Sequence, residues 1–323
     1  MINAVRQYFI RRGISFTFLV SHPDKASLSL LGADHAFIEP SYNANNNHHF
    51  YQEIVKKYKV DLIIPGESSL LYFKKNESIY HELGSKILLC ASLALLEILK
   101  SKSRTYQYFE NNDIDVAIPR YQVVNTLESF IDICTDIQEM GSIPCFKPDI
   151  SQGASGFRVV DNSVSFSSLV KGFPSHNAPL EYYIYLFSKT DKFPELIVME
   201  FLSGVEVTLD ILSYNSNCLC YFPRNKEHND RFVKDKSIFK PLIKDFIDKS
   251  GIQYVFNIQL RYHNNIPFLL EVNPRYSGGS YLAEENGYPM LSSAIDLILY
   301  ESTQEFAQLD EFHFKMIENY IKI

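Results

Sequence analysis

The sequence has 323 residues, a length that suggests about two domains of roughly 150 residues each. Hydrophobic residues make up 46% and charged residues 21%, which supports an ordinary globular core and argues against disorder. The formal net charge of −7 argues against a nucleic-acid or anionic-membrane surface as the main partner, while leaving room for a local basic pocket.

In chain order, Ala4 to Arg12 reads as a helix stopped by Gly13, and Ser15 to Val20 is β-rich. The N-terminus has no apolar h-region, so no signal peptide is expected. The Asn- and His-rich stretch Ser41 to His49 is expected as an exposed loop, without metal geometry at His48 and His49. Phe50 to Tyr58 is helical, and Asp61 to Pro65 is a short buried strand. This α-β-α-β order implies parallel strands with helical crossovers. A strand over Lys86 to Cys90 precedes a helix from about Ser92 and another over Lys102 to Asn111, and Ile118-Pro119 marks a turn. The most apolar run, Ile87 to Leu99, is broken by Ser92 and Glu97 and falls short of the ~20 residues that cross a bilayer. A soluble, cytoplasmic protein is therefore expected.

Residues 143–161 read as strand, loop, strand, and residues 195–214 as two strands around a glycine turn. A strand and a polar loop follow over 218–235, then a helix over 237–250. Residues 254–272 form two strands around the turn His263-Asn264-Asn265. After Pro274 a Gly-Gly loop leads to a last helical region. The five cysteines show no CxxC pair and no zinc spacing to histidine, so they are expected as buried free thiols in a reducing compartment.

Three segments carry chemistry. In the first, a strand delivers Lys147 into a small-residue loop, Ser151 to Gly156, where glycines let backbone N–H groups approach an anion; the alternative is a plain hairpin. The lysine precedes the glycines, so this is not a Walker loop. In the second, Met199 to Glu206, a strand edge offers backbone groups to a purine edge and Glu206 can accept from ribose hydroxyls; the alternative is a tight turn with Glu206 in solvent. The third is the most informative. Glu271 and Asn273 are two apart on a strand and share a face, while Val272 turns into the core. Gln259 on the preceding strand can join them as a third oxygen donor, a set that suits Mg²⁺, and Arg275 follows to meet a phosphate. The alternative is an exposed polar strand end.

In this order and spacing the segments resemble the ATP-grasp superfamily. The stretch from Asn257 to Leu291 looks like its carbamoyl-phosphate-synthetase-like branch, with an N-x-Q strand, an E-x-N-P-R strand, a small-residue loop and a G-Y-P. The resemblance implies an α/β (α+β) ATP-grasp fold. Residues 1–95 would form a Rossmann-like domain lacking the usual first strand, since the chain opens on a helix. Residues 96–323 would form the ATP-grasp domain, with a small lid subdomain at about 120–200 and a large one at about 201–323 clasping ATP.

Residue by residue, the resemblance implies phosphate-binding lysines at Lys102 and Lys147, with Ser101 where the family usually has Asp. Gly153, Ser155 and Gly156 resemble the loop closing over the phosphates. Glu200, Phe201 and Leu202 resemble the adenine hinge, and Glu206 the ribose carboxylate. Gln259, Glu271 and Asn273 resemble the ligands of Mg²⁺ (or Mn²⁺), and Arg275 the arginine on the transferred phosphate, making Arg275 and Lys147 the catalytic pair.

On the acceptor side, Arg224 and Arg231 are candidates to clamp a carboxylate, with Lys226 nearby, Ser277, Gly278 and Gly279 as a backbone cradle, and His228 as a candidate base; a solvated charged loop is the alternative. The implied activity is an ATP-dependent ligase that phosphorylates a carboxylate and couples it to an amine. The competing readings are another phosphoryl transfer, such as carbamate phosphorylation, and a non-catalytic nucleotide-binding protein. Small carboxylates and amines are the implied partners, with no nucleic acid and no membrane. Family members are often dimers, and no interface pattern is legible here.

Overall fold

The computed structural model describes residues 2–40, 44–151, 153, 155–164, 176–225 and 237–302. Helix α1 (Ile2–Ile10) buries Val5 and Phe9 and ends before Gly13, whose φ of 73° suits a residue without a Cβ. Strand β1 (Leu19–His22) pairs in parallel with β2 (His35–Ile38), and β3 (Leu62–Ile63) with β4 (Lys86–Ile87). Helix α2 (Ala44–Tyr58) and the short helices α3 (Leu70–Lys75) and α4 (Glu77–Glu82) make the connections.

Two expectations change here. The β-rich stretch from Ser15 pairs only from Leu19 onward; Phe16 instead packs edge-on against Phe9, ring centroids 4.6 Å apart. The Asn/His stretch expected as a loop is helical from Ala44. Weak intrinsic propensity is overridden by tertiary partners: Asn47 is buried, and His48 hydrogen-bonds the Tyr72 hydroxyl at 2.8 Å and Gln52 at 2.9 Å.

Helices α5 (Leu93–Leu99) and α6 (Lys102–Asn111) lead into a five-stranded sheet of order β5-β9-β6-β7-β8. Its strands are β5 (Tyr121–Val124), β6 (Pro144–Pro148), β7 (Arg158–Val160), β8 (Asn177–Ala178) and β9 (Leu196–Glu200). Helices α7 (Leu127–Glu139) and α8 (Leu180–Phe187) cover one face, where Phe130, Phe146, Tyr183 and Val198 form a small core. Alternation sends Cys145, Val159 and Met199 to the other face.

The second large sheet is antiparallel, β11-β10-β12-β13, built from β10 (Glu206–Tyr214), β11 (Asn217–Asn225), β12 (Tyr254–His263) and β13 (Ile266–Asn273). Asn264 and Asn265, both at positive φ, close the β12–β13 hairpin. Helices α9 (Lys240–Ser250) and α11 (Met290–Tyr300) contribute to the main core, where Phe246 stacks on Phe109 of α6 at 5.0 Å. The short helix α10 (Tyr281–Glu285) carries Glu284, which accepts from Leu291 N–H and Ser292 N–H and so closes the start of α11.

The strands flanking Gly204 do not pair with each other as a hairpin would: β9 belongs to the five-stranded sheet and β10 to the four-stranded one. Cys90, Cys134, Cys145 and Cys220 are buried free thiols, but Cys218 is exposed, because a bulge after Leu212 shifts the register so that Leu212 faces Cys220 and Ser213 faces Cys218. Among the described residues no helix is long and apolar enough to cross a membrane.

Ile258 is fully buried on β12, between β10 and β13. Ile258→Ala is expected to lower stability by about 2–5 kcal/mol in urea unfolding, with the slope against denaturant unchanged.

Candidate functional site

A cavity of about 210 Å³ is lined from both large sheets. The five-stranded sheet and its loop contribute Cys145, Lys147, Gly153 and Phe157, and the segment leaving β9 contributes Met199, Glu200, Phe201 and Leu202. From the four-stranded sheet come Glu206, Gln259, Arg261, Leu270 and Glu271. Eight residues singled out from sequence therefore meet in one slot: Lys147, Gly153, Glu200, Phe201, Leu202, Glu206, Gln259 and Glu271.

The polar floor follows from strand register. Gln259 lies directly opposite Glu271, and Asn257 opposite Asn273. Beyond Gln259 the register shifts, so that Leu260 faces Leu269; this bulge lets the neighbours Leu270 and Glu271 both line the slot while Val272 is buried. The Asn273 amide donates to Glu271 Oε1 and to Asn257 Oδ1, both at 3.1 Å, which turns its own Oδ1 the other way. One carboxylate and two carboxamides are hard oxygen donors, the chemistry that suits Mg²⁺ with few protein ligands. Among the described residues no group of three His, Cys, Asp or Glu side chains could hold a metal.

Two lysines face this floor, Lys102 buried and Lys147 half-buried. Lys102 lies 4.0 Å from Glu271 Oε2, and its Nζ donates to Ser151 O at 2.9 Å. Burial lowers its pKa, against the pull of Glu271 and Asp149. Burial, together with the charge of Lys102, brings Lys147 down to about 8, with Glu271 opposing. Two cations crowded away from water form a site that gains by admitting an anion.

Lys102 opens α6, where Ser101 is the N-cap: its side chain accepts from Arg104 N–H at 3.2 Å. The carboxylate expected at position 101 is supplied from elsewhere. Asp149, just past β6, accepts from Ser103 N–H at 2.8 Å and from the Ser101 hydroxyl. Asp149 was not singled out from sequence; its place two residues after Lys147, at a strand end, is the signal that marks it.

Of the expected nucleotide and metal residues, Lys102, Ser155, Gly156, Asn273 and Arg275 lie outside the slot lining itself. Ser155 and Gly156 continue the loop, and a Cβ on Gly156 (φ 74°) would meet Pro148 Cδ at 2.7 Å. The Glu200 carboxylate accepts from Arg120 N–H at 3.0 Å, Glu200 N–H donates to Arg120 O at 3.1 Å and Phe201 N–H to Ile143 O at 2.7 Å, so these hinge donors are used within the fold. Arg275 pairs with Glu67 in the loop after β3, a residue whose partner lies too far away in sequence to be read.

The acceptor side requires a correction. Arg224, expected open to clamp a carboxylate, is buried and pairs with Asp210 through Nε and Nη2, with Nη2 also donating to Ser277 Oγ at 3.3 Å. Asp210 further accepts from Ser280 Oγ at 2.5 Å. A Cβ on Gly279 would lie 2.3 Å from Arg224 Nη1, so the Ser277–Gly279 turn is seated on this pair. Position 224 alternates to the buried face of the edge strand β11, where a charge needs a partner. Lys226, His228 and Arg231 lie outside the described residues.

Comparison with known proteins follows this geometry. Residues 192–319 match the family model "ATP-grasp in the biosynthetic pathway with Ter operon". No curated protein matches the chain. Among solved structures, the biotin carboxylase domain of 2-oxoglutarate carboxylase from Hydrogenobacter thermophilus, in complex with MgADP, ADP and bicarbonate, superposes with a TM-score of 0.66 at 13% identity, covering 96% of this chain and 69% of that one. The N5-carboxyaminoimidazole ribonucleotide synthetase from Thermotoga maritima gives 0.58 at 17% identity, covering 92% and 72%. The L-amino acid ligase from Bacillus licheniformis gives 0.61 at 14% identity, covering 92% and 71%. The family match covers residues 192–319, and the chain as a whole shares the fold of these solved structures.

Proposed function

We propose that the slot binds ATP with Mg²⁺ (or Mn²⁺) and that the chain is a ligase that phosphorylates a carboxylate and passes the acyl group to an amine. The observation that carries this reading is the pair of crowded lysines, buried Lys102 and half-buried Lys147, facing a floor of hard oxygen donors. The apolar part of the slot, with Phe157, Met199, Phe201 and Leu270, takes the base, and Glu206 takes the ribose hydroxyls. Gln259, Glu271 and Asn273 would hold the metal, which offsets phosphate charge when bound. Solved structures of this fold with bound ADP or MgADP support the nucleotide assignment.

In the first step the acceptor carboxylate oxygen attacks the γ-phosphorus, the bond to the bridging oxygen breaks, and ADP leaves. In the second the amine nitrogen attacks the acyl carbon, phosphate leaves and the nitrogen loses a proton. Here the protein contributes positioning and charge rather than covalent chemistry. Lys102 and Lys147 neutralise phosphate oxygens, and Arg275 is set to exchange its contact with Glu67 for the transferred group. The loop over Ser151 to Gly156 would shield the acyl phosphate from water. The domain division at about residue 95, a cytoplasmic setting and a homodimer are part of the same proposal.

Incubation with ATP, Mg²⁺ and pooled amino acids tests the reading by mass spectrometry. ADP with a new amide supports it, ADP without one points to another phosphoryl transfer, and no nucleotide binding sinks it. Glu271→Gln is expected to keep the circular dichroism spectrum, to lose the Mg²⁺-dependent thermal shift with ADP, and to lower turnover by at least ~100-fold.

A pH dependence follows from Lys147. Without nucleotide it titrates near 8, and phosphate oxygens favour its charged form, so the bound pKa is higher. Below pH 8 the lysine is already protonated; above it, binding must take up a proton. Affinity for MgADP is therefore expected to fall as pH rises through about 8. Calorimetry at that pH in buffers of different ionisation enthalpy should show proton uptake, and Lys147→Met should abolish it.

A further inference from the structure

Arg261 is a cation at the opposite end of the slot from the lysines, and the nucleotide assignment above gives it no role. It shares a face of β12 with Gln259, about 7 Å further along at ~3.4 Å per residue, and it lines the cavity. Its Nε donates to Gly204 O at 3.0 Å, and its guanidinium lies 5.8 Å from the centre of the Phe201 ring. In the β10–β12 register it stands directly opposite Glu206.

The segment that Arg261 touches is the crossing between the two large sheets. Gly204 N–H donates to Tyr262 O and Tyr262 N–H to Val205 O, both at 2.9 Å, so the crossing lies tight against β12. A Cβ at residue 204 would come within 2.4 Å of Tyr262 O, which explains the glycine there. The crossing leads from Phe201, a wall of the slot, to Glu206 at its rim. Arg261 thus meets the wall through its guanidinium face and the turn through Nε, and stands opposite the rim residue Glu206 in the strand register.

Building on the nucleotide assignment of this slot, we propose that Arg261 is a positioning residue for the nucleoside: it fixes Phe201 against the base and sets the Glu206 carboxylate to accept from the ribose hydroxyls. A planar, permanently charged guanidinium is suited to this because it stacks and donates at once, which an ammonium does not. The consequence is discrimination at the sugar, since the 2′-hydroxyl is read by a carboxylate whose orientation depends on Arg261.

Isothermal titration with ADP and with 2′-deoxy-ADP, each with Mg²⁺, tests this on the full chain. Wild type is expected to prefer ADP. Arg261→Met keeps the apolar stem and should weaken ADP on the order of tenfold, the equivalent of one charge-assisted hydrogen bond, while bringing the two dissociation constants together. Arg261→Lys should recover part of the affinity, and Glu206→Gln should lose the same discrimination without affecting the Arg261 contact to Gly204. Melting temperatures without nucleotide separate a folding defect, and a variant that melts as wild type yet keeps the full ADP preference overturns the role of Arg261. Absence of any ADP binding by wild type would instead remove the nucleotide assignment itself.

Discussion

The register of one hairpin governs the chemistry of this protein. Side chains alternate along β12 and β13, so the pairing of Gln259 with Glu271 decides which set of residues meets the slot and which meets the core. A slip of one residue would turn Val272 and Ile258, both buried, toward the slot and send a carboxylate into the main core. The Asn264-Asn265 turn and the apolar residues Ile258, Leu260, Leu269 and Val272 hold the register from opposite sides: the turn by its backbone conformation, the core by the cost of exposing those side chains. The bulge beside Gln259 adds a local exception, giving the slot two adjacent residues where regular pleating would give it one.

Charge is organised around that floor in two ways. On the slot side, Lys102 and Lys147 repel each other and share the pull of Glu271, and burial lowers the pKa of both. On the same face of the sheet, toward β11, Arg224 and Asp210 satisfy each other, with Ser277 and Ser280 completing the network. The first arrangement leaves positive charge seeking a partner; the second closes on itself and supports a turn. Both consist of buried ionisable groups on strands of one fold, and only the partner separates a site that binds from a site that holds.

What the sequence made legible follows the range of the interactions involved. The hairpin, the helix over Lys102 to Asn111 and the shared face of Glu271 and Asn273 depend on periodicity and turn chemistry within a few residues, and they stand as read. Helix α7 could have been read from Thr126, whose side chain caps it, but its apolar residues at 130, 133, 134 and 137 are separated by polar ones in a stretch with no other marker. The start of α2 was hidden because asparagines favour loops in isolation, and Tyr72, which His48 meets, lies 24 residues away. Arg224 looked free because its partner Asp210 is on the neighbouring strand, and Glu67 attracted no notice because Arg275 is more than 200 residues distant. The assignment of the β9 and β10 strands to different sheets is a matter of topology, which a glycine between two apolar runs does not encode.

The stapling of β6 to α6 has a mechanical consequence. Asp149, at the end of the strand that carries Lys147, grips the first turn of the helix that begins with Lys102, and Lys102 in turn grips Ser151. Helix α6 is itself packed on the other sheet, with the Tyr106 hydroxyl donating to Leu270 O at 3.1 Å and Phe109 stacked on Phe246. The clamp therefore ties the strand of Lys147 to the floor it faces, and the end of the slot that holds the lysines is the end at which the two sheets are latched together.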